Sequence, residues 1–162
     1  MDVSQVILTT LVSEFSDLTD VEQATRVSLR LLLAALLGGL LGYERETHGK
    51  AAGIRTHMLV CTGSALFVIG FVLIGAEDDA LSRVVQGIVA GIGFLGVGTI
   101  IKGGRMNEVK GLTTAAGVWM TAAVGVCVGL GLEATAVLAT LLMLFILQVL
   151  PHIIEPKERD DG

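Results

Sequence analysis

The residues able to do chemistry gather in one stretch, Gly42 to His57, GYERETHGKAAGIRTH. It lies between the apolar runs LRLLLAALLGGLLG and MLVCTGSALFVIGFVLIG. Glu44 and Glu46 follow the carboxyl end of the first run, where exposed carbonyls disfavour carboxylates. The chemistry on offer is therefore ion pairing and helix-end capping. Arg55 and the free N–H groups at the start of the next run stand ready to hold the acids. A second helix start, Lys110-Gly111-Leu112-Thr113-Thr114, offers another cation and hydroxyl caps. The spacing predicts that Glu44 is held by Arg55, with Lys110 and the two helix starts beside it, so that three helices lock together. Arg45, Glu46, His48 and Lys50 read as ordinary hydrated interfacial charges. Glu44 and Arg55 read as functional candidates, because ionisable groups at a membrane edge are functional hypotheses by default.

Other apparent motifs dissolve in context. Gly91-Ile92-Gly93-Phe94-Leu95-Gly96 matches a dinucleotide fingerprint, but it lies inside an apolar helix, without the strand and the distant acid such a site needs. His48, His57 and His152 lack zinc-ligand spacing, and no nucleophile motif is present. Glu77-Asp78-Asp79 reads as a solvated acidic turn, and Cys61 and Cys127 as small core residues too far apart to join. No catalytic residue, metal site, cofactor or nucleic-acid partner is expected, and the chain reads as a non-enzyme.

These residues must be positioned by membrane helices. The chain of 162 residues is 52% hydrophobic with a mean hydropathy of +0.76, and its apolar residues come in blocks instead of stripes. Each block approaches the roughly 20 residues that cross a bilayer. The blocks run from about Val27 to Tyr43, Thr56 to Ala76, Ser82 to Ile101, Thr113 to Leu132 and Ala134 to Leu150. The fold class is thus all-α: an integral membrane protein of five transmembrane helices packed through Gly-rich faces. Arg26, Arg30 and Arg83 fall on one side of the membrane. Arg45, Lys50, Arg55, Lys102, Arg105, Lys110, Lys157 and Arg159 fall on the other. The positive-inside rule then places the amino terminus outside and the carboxyl terminus in the cytoplasm.

Residues 1–25 form an extracytoplasmic segment in which Val3, Ile7, Leu11, Phe15 and Leu18 recur at helical spacing. They suggest either a short interfacial helix or a frayed terminus. Residues 26–151 form the membrane domain and 152–162 a polar cytoplasmic tail. Membrane helices associate where small residues let backbones approach. Gly38 and Gly42 mark such a face on the first span, Gly87, Gly91 and Gly98 on the third, and Gly117, Gly125 and Gly129 on the fourth. The first, third and fourth spans should form the tight centre, with the glycine-free fifth facing lipid. A homo-oligomer through one of these faces stays open. Arg30 stands fourteen residues before Glu44, about 21 Å along one helix face. Arg30 and Gln86 are the candidate intramembrane polar groups, Arg30 either facing inward or snorkelling and Gln86 able to bridge helices. Gln148 is expected at the inner headgroups.

Three stretches in order, LLAALLGGLLGYERETHGKAAGIRTHMLVCTGSALF, QGIVAGIGFLGVGTIIKGG and VKGLTTAAGVWMTAAVGVCVGLG, closely resemble the MgtC/SapB family of bacterial membrane proteins. The resemblance covers about Arg30 to Leu150. It implies a five-span protein of the bacterial plasma (inner) membrane, linked to magnesium homeostasis, stress adaptation and, in some pathogens, growth inside host cells. Its characteristic positions here are Gly42, Glu44, Arg45, Glu46, Gly53, Arg55 and Thr56, then Gln86, Gly91, Gly93, Phe94, Gly96 and Gly98. Gly111 to Ala116 and Trp119 complete them. Lys110 departs from the arginine usual in the family, which removes any bidentate pairing there. Many members also carry a soluble ligand-sensing domain that this sequence stops before, so its regulation is not expected to carry over. The resemblance implies action on other membrane machinery, such as the proton-driven ATP synthase. The alternatives are a transporter or channel for Mg2+ or another small ion, its polar path lined by Arg30, Gln86, Glu44 and the Thr113–Thr114 helix start, and a structural membrane scaffold. The bilayer is a partner in every case.

Overall fold

The computed structural model describes residues 2–154 apart from Asp17, Thr19 and 103–108. Arg105, Lys157 and Arg159 of the charge tally, and the tail from residue 155 onward, lie outside the described residues. The elements are α1 (Val3–Glu14), α2 (Val21–Thr47), α3 (Ile54–Leu73), α4 (Asp78–Thr99), α5 (Leu112–Leu130) and α6 (Glu133–Ile154). Two short antiparallel strands, β1 (Ile101–Lys102) and β2 (Val109–Lys110), join α4 to α5. The helices α2 to α6 are each long and apolar enough to cross a membrane, so the five expected spans are present. The first is longer than its apolar core, beginning at Val21. Asp20 accepts the Glu22 N–H at 3.1 Å there and caps an extra polar turn. The expected amino-terminal helix is present as α1, with Val3, Ile7, Leu11 and Phe15 all exposed.

The centre of the bundle is not the expected one. It is built from α2, α3 and α5, the first, second and fourth spans. A Cβ placed on Gly38 would stand 2.6 Å from the His57 carbonyl and 2.9 Å from Cys61 Cβ. One on Gly42 would stand 2.5 Å from Ile54 Cα. From the other side, a Cβ on Gly125 would collide with the Cys61 carbonyl, and one on Gly129 would lie 2.7 Å from Val68 Cβ. The backbone of α3 is thus held between the glycine faces of α2 and α5, the close approach that membrane helices use in place of a hydrophobic driving force.

Four of the five glycines of the third span, α4, stay free, and a Cβ on the fifth, Gly96, would stand 3.5 Å from Ala115 Cβ. A Cβ on Gly87, Gly91 or Gly98 would meet nothing within 4 Å. The expectation that these residues pack the centre is therefore corrected. The α3 ridge that displaces α4 consists of Cys61, Ser64 and Ala65, small residues that a search for glycine passes over. Gly87 and Gly91 instead line an apolar groove of about 560 Å³ between α3 and α4, facing Gly63 and Ser64. Helix α6 is peripheral, as expected, and buries only a stripe of Ala136, Thr140 and Met143.

Candidate functional site

Polar side chains occupy the two ends of the central trio, and apolar packing separates them. Ala34, Leu37, Ala65, Ile69, Val124 and Val128 form one buried cluster in the middle. Cys61 is buried in that cluster and Cys127 half-buried, both as free thiols.

At one end lies Arg30, half-buried on α2. Its Nη1 donates to the Gly129 carbonyl at 3.1 Å, and its Nε stands 3.5 Å from Glu133 Oε1. Gly129 belongs to the last turn of α5, whose carbonyls lack intrahelical partners and favour a cation. Gly131 follows with φ +80°, a left-handed helix stop, and a Cβ there would collide with the Arg30 guanidinium. Arg30 therefore ties α2 to the end of α5 and the start of α6, and neither snorkels freely nor shares a path with Glu44. A polar cavity of about 320 Å³ adjoins it, lined in part by Asp20, Gln23 and Arg26.

At the other end lies the stretch that carries most of the charge. Glu44 is 2% exposed and Arg45 is 3% exposed. Arg45 Nη2 donates to Glu44 Oε1 at 2.6 Å, and Arg45 Nε donates to Glu44 Oε2, making a two-pronged fork. Exposed His48 brings Nδ1 to 3.2 Å from Glu44 Oε1 and 2.8 Å from the Glu44 carbonyl. Thr47 Oγ1 donates to the same carbonyl at 2.9 Å.

The expected partner, Arg55, is exposed on the first turn of α3 and makes no ion pair with Glu44. The helix start that was to hold Glu44 holds Glu46 instead, whose Oε2 accepts the Ile54 N–H at 2.9 Å. An acid is held by the α3 amino-terminus, as the dipole argument requires, but it is the second acid and not the first. Arg45 and Glu46, expected to be idle surface charges, are thus a buried ion-pair partner and a helix cap.

The start of α5 contributes differently from expectation. Its cap is Gly111, at φ +98°, with no side-chain hydrogen bond. A Cβ there would collide with the Thr99 carbonyl, so only glycine fits. Thr113 is exposed, Thr114 is buried and Lys110 is exposed. Neither threonine is among the hydrogen-bond partners of Glu44. Thr56 is half-buried and helps line a cavity of about 270 Å³ with Ala52, Gly98 and Thr99. Gln86, expected as a helix bridge, is exposed on α4, and Gln148 is exposed on α6.

The residue that the sequence reading passed over is His57. It is fully buried, its Nδ1 lies 2.7 Å from Thr121 Oγ1, and Thr121 in turn donates to the Gly117 carbonyl at 2.9 Å. Reading it as a failed zinc ligand hid its position. His57, Cys61, Ser64 and Val68 share one face of α3, and a titratable side chain on the packing face of a membrane helix is a signal in its own right. A buried carboxylate and guanidinium thus lie where α2 ends, and a buried imidazole on the first turn of α3 reaches a hydroxyl midway along α5.

The MgtC family model matches residues 31–155. Protein SrpB of Synechococcus elongatus is 47% identical over 135 residues, covering 75% of this chain and 72% of that protein. The putative magnesium transporter YhiD of Escherichia coli K12 is 41% identical over 128 residues, covering 75% of this chain and 59% of that one. Protein MgtC of Salmonella typhimurium is 46% identical over 116 residues, covering 72% and 48% respectively. The chain therefore spans about half to three-fifths of YhiD and MgtC. No solved structure matches it.

Proposed function

The chain belongs to the MgtC family, and from that premise we propose that this multi-pass membrane protein serves magnesium homeostasis and stress adaptation by regulating a membrane partner. It works without catalysis, in the bacterial plasma membrane. The carrying observation is the Glu44–Arg45 fork. Mg2+ is bound through carboxylate and water oxygens in a near-octahedral shell. Here the buried carboxylate has both oxygens engaged by a guanidinium, which supports a staple more than a cation path. The apolar packing between the Arg30 and Glu44 ends supports the same reading.

The charge bias supports an orientation with the Glu44 end in the cytoplasm and the Arg30 end outside. Reporter fusions after Asp79 should read outside and fusions after Lys50 inside; the reverse pattern would overturn this orientation. The proton-driven ATP synthase is the first partner to test, by cross-linking from the cytoplasmic end.

The transport reading keeps one specific support, the name putative magnesium transporter carried by YhiD. Purified protein in liposomes, assayed for magnesium, phosphate and proton flux, separates the readings. Regulation predicts flux no greater than in empty liposomes, together with rescue of growth in low magnesium. Protein-dependent magnesium flux would replace regulation with transport.

A further inference from the structure

The two peripheral spans turn different faces to the bilayer. Helix α6 presents Leu138, Leu141, Leu142, Phe145, Ile146 and Val149, large apolar side chains that lipid solvates well. Helix α4 buries only Ile92 and Gly96. On its exposed side stand Arg83, Gln86, Ala90, Gly93 and Val97. They recur at alternating steps of three and four, the spacing of a seam that packs against another helix. At about 100° per residue, Gln86, Ala90, Gly93 and Val97 fall within about 60° of one another. The side of α4 that lines the α3–α4 groove lies roughly opposite.

Small residues in the middle of that seam gain nothing against lipid, which packs on leucine as readily. They let a second backbone come close. A Cβ on Gly93 would meet nothing within 4 Å, so no other helix of the chain uses the opening. Gln86 is the stronger sign. It lies one turn deeper in the span than Arg83, the last charged residue of α4, and its carboxamide makes no hydrogen bond among the described residues. Hydrocarbon offers it none.

The chemistry of the seam says what covers it. A carboxamide carries donors and an acceptor together, so an identical carboxamide is its complement. Two copies inserted with the same orientation are related by a two-fold axis along the membrane normal. That axis makes their α4 helices parallel and sets each seam residue against its own counterpart. Two Gln86 side chains then meet at one depth. Asp79 and Arg83 stand one turn apart, and neither is in an ion pair among the described residues. An acid and a base so placed pair reciprocally across the same axis.

We propose that α4 is a self-association face, through which two copies of this chain pair in the membrane along the Arg83–Gln86–Ala90–Gly93–Val97 seam. Gln86 bonds to the partner's Gln86 across the axis. A regulator and a transporter alike can be built as such a dimer.

The test uses the full-length protein in membranes and in liposomes. Ala90→Cys and Val97→Cys should each give disulfide-linked dimers under mild oxidation. Leu95→Cys on the groove side, Leu141→Cys on α6 and the wild type, with its buried Cys61 and half-buried Cys127, should not. Labelled protein reconstituted over a range of protein-to-lipid ratios should show a monomer–dimer equilibrium by single-molecule photobleaching. Gln86→Leu should weaken that equilibrium roughly threefold to thirtyfold, the range expected of hydrogen bonding between membrane helices. Gly93→Leu should abolish it with helicity retained, and Ala90→Leu reads the same contact should that variant not fold. Arg83→Asp should weaken pairing, and Asp79→Arg in that background should restore it. Protein that stays monomeric at every ratio would overturn the proposal. So would cross-linking at Leu95→Cys or Leu141→Cys in preference to the seam, or a dimer indifferent to Gln86→Leu and Gly93→Leu.

Discussion

Arg45 closes a two-pronged fork on Glu44, the residue immediately before it, and both side chains are sealed from solvent. Neighbours in sequence point about 100° apart on a helix and do not face one another. Both must therefore fold back into the same interior space. Breaking a buried pair by deleting one partner strands a charge and costs about 3–5 kcal/mol. Glu44→Gln and Arg45→Gln should each lower the thermal midpoint in detergent substantially. The double variant should lose much less than the sum of the two. Additive losses would show that the fork carries no coupling.

Arg55 supplies the contrast. It is exposed at the start of α3 and stands outside the Glu44 fork. Arg55→Gln should change thermal stability by no more than about 0.5 kcal/mol. A growth defect in low magnesium with that stability intact would place Arg55 on a surface that a partner reads. Loss of stability comparable to Arg45→Gln would contradict the exposed position.

How far the sequence could have led is visible in these two arginines. Block length and charge bias announce five spans, because a bilayer fixes helix length and leaves few polar residues to confuse the count. Which cation meets Glu44 depends instead on the rotation of α2 about its axis and on the depth at which α3 starts. Neither is encoded in spacing along the chain. Electrostatic reasoning foresaw that the α3 amino-terminus would hold an acid, yet could not tell Glu44 from Glu46, which differ by 200° around the helix. His57 was legible only as a polar residue on the Cys61–Ser64–Val68 face, and that requires knowing that α3 is central.

The glycines test the revised centre. Gly125→Leu would drive a side chain into the Cys61 carbonyl and Ser64. Overpacking of this kind costs about 1–3 kcal/mol or more. Gly91→Leu opens into the α3–α4 groove and should be close to neutral in detergent. The two variants are compared by thermal unfolding of purified protein. Equal losses would restore α4 to the centre of the bundle.

Glu46 should act as a cap and nothing more. Its carboxylate accepts the Ile54 N–H and sits against the positive end of α3. Glu46→Ala should cost about 0.5–2 kcal/mol, whereas Glu46→Gln keeps an acceptor and should recover part of that. Amide hydrogen exchange at Ile54 reads the cap directly and should speed up in Glu46→Ala. Unchanged protection there would show that the α3 start is held by something else.

Arg30 closes the opposite end, and its contacts say how it should fail. The guanidinium gives Nη1 to the Gly129 carbonyl and keeps Nε beside Glu133, so one side chain joins three helices through two separate nitrogens. Lysine carries the charge on a single nitrogen and cannot span both partners. Arg30→Lys should therefore retain the favourable interaction with the end of α5, worth about 0.3–1 kcal/mol when exposed and up to about 2 when partly buried. It should lose the link to Glu133. Arg30→Met, of similar length, should lose both and leave the Gly129 carbonyl without this donor. The expected order of thermal midpoints is wild type, then Lys, then Met, and Glu133→Gln in the Arg30→Lys background should add nothing further. An ion path through Arg30 makes a different demand, since both substitutions would then alter flux in liposomes while stability followed no such order. A flat stability series would remove Arg30 from the packing of the bundle and return it to the list of residues that face a pathway.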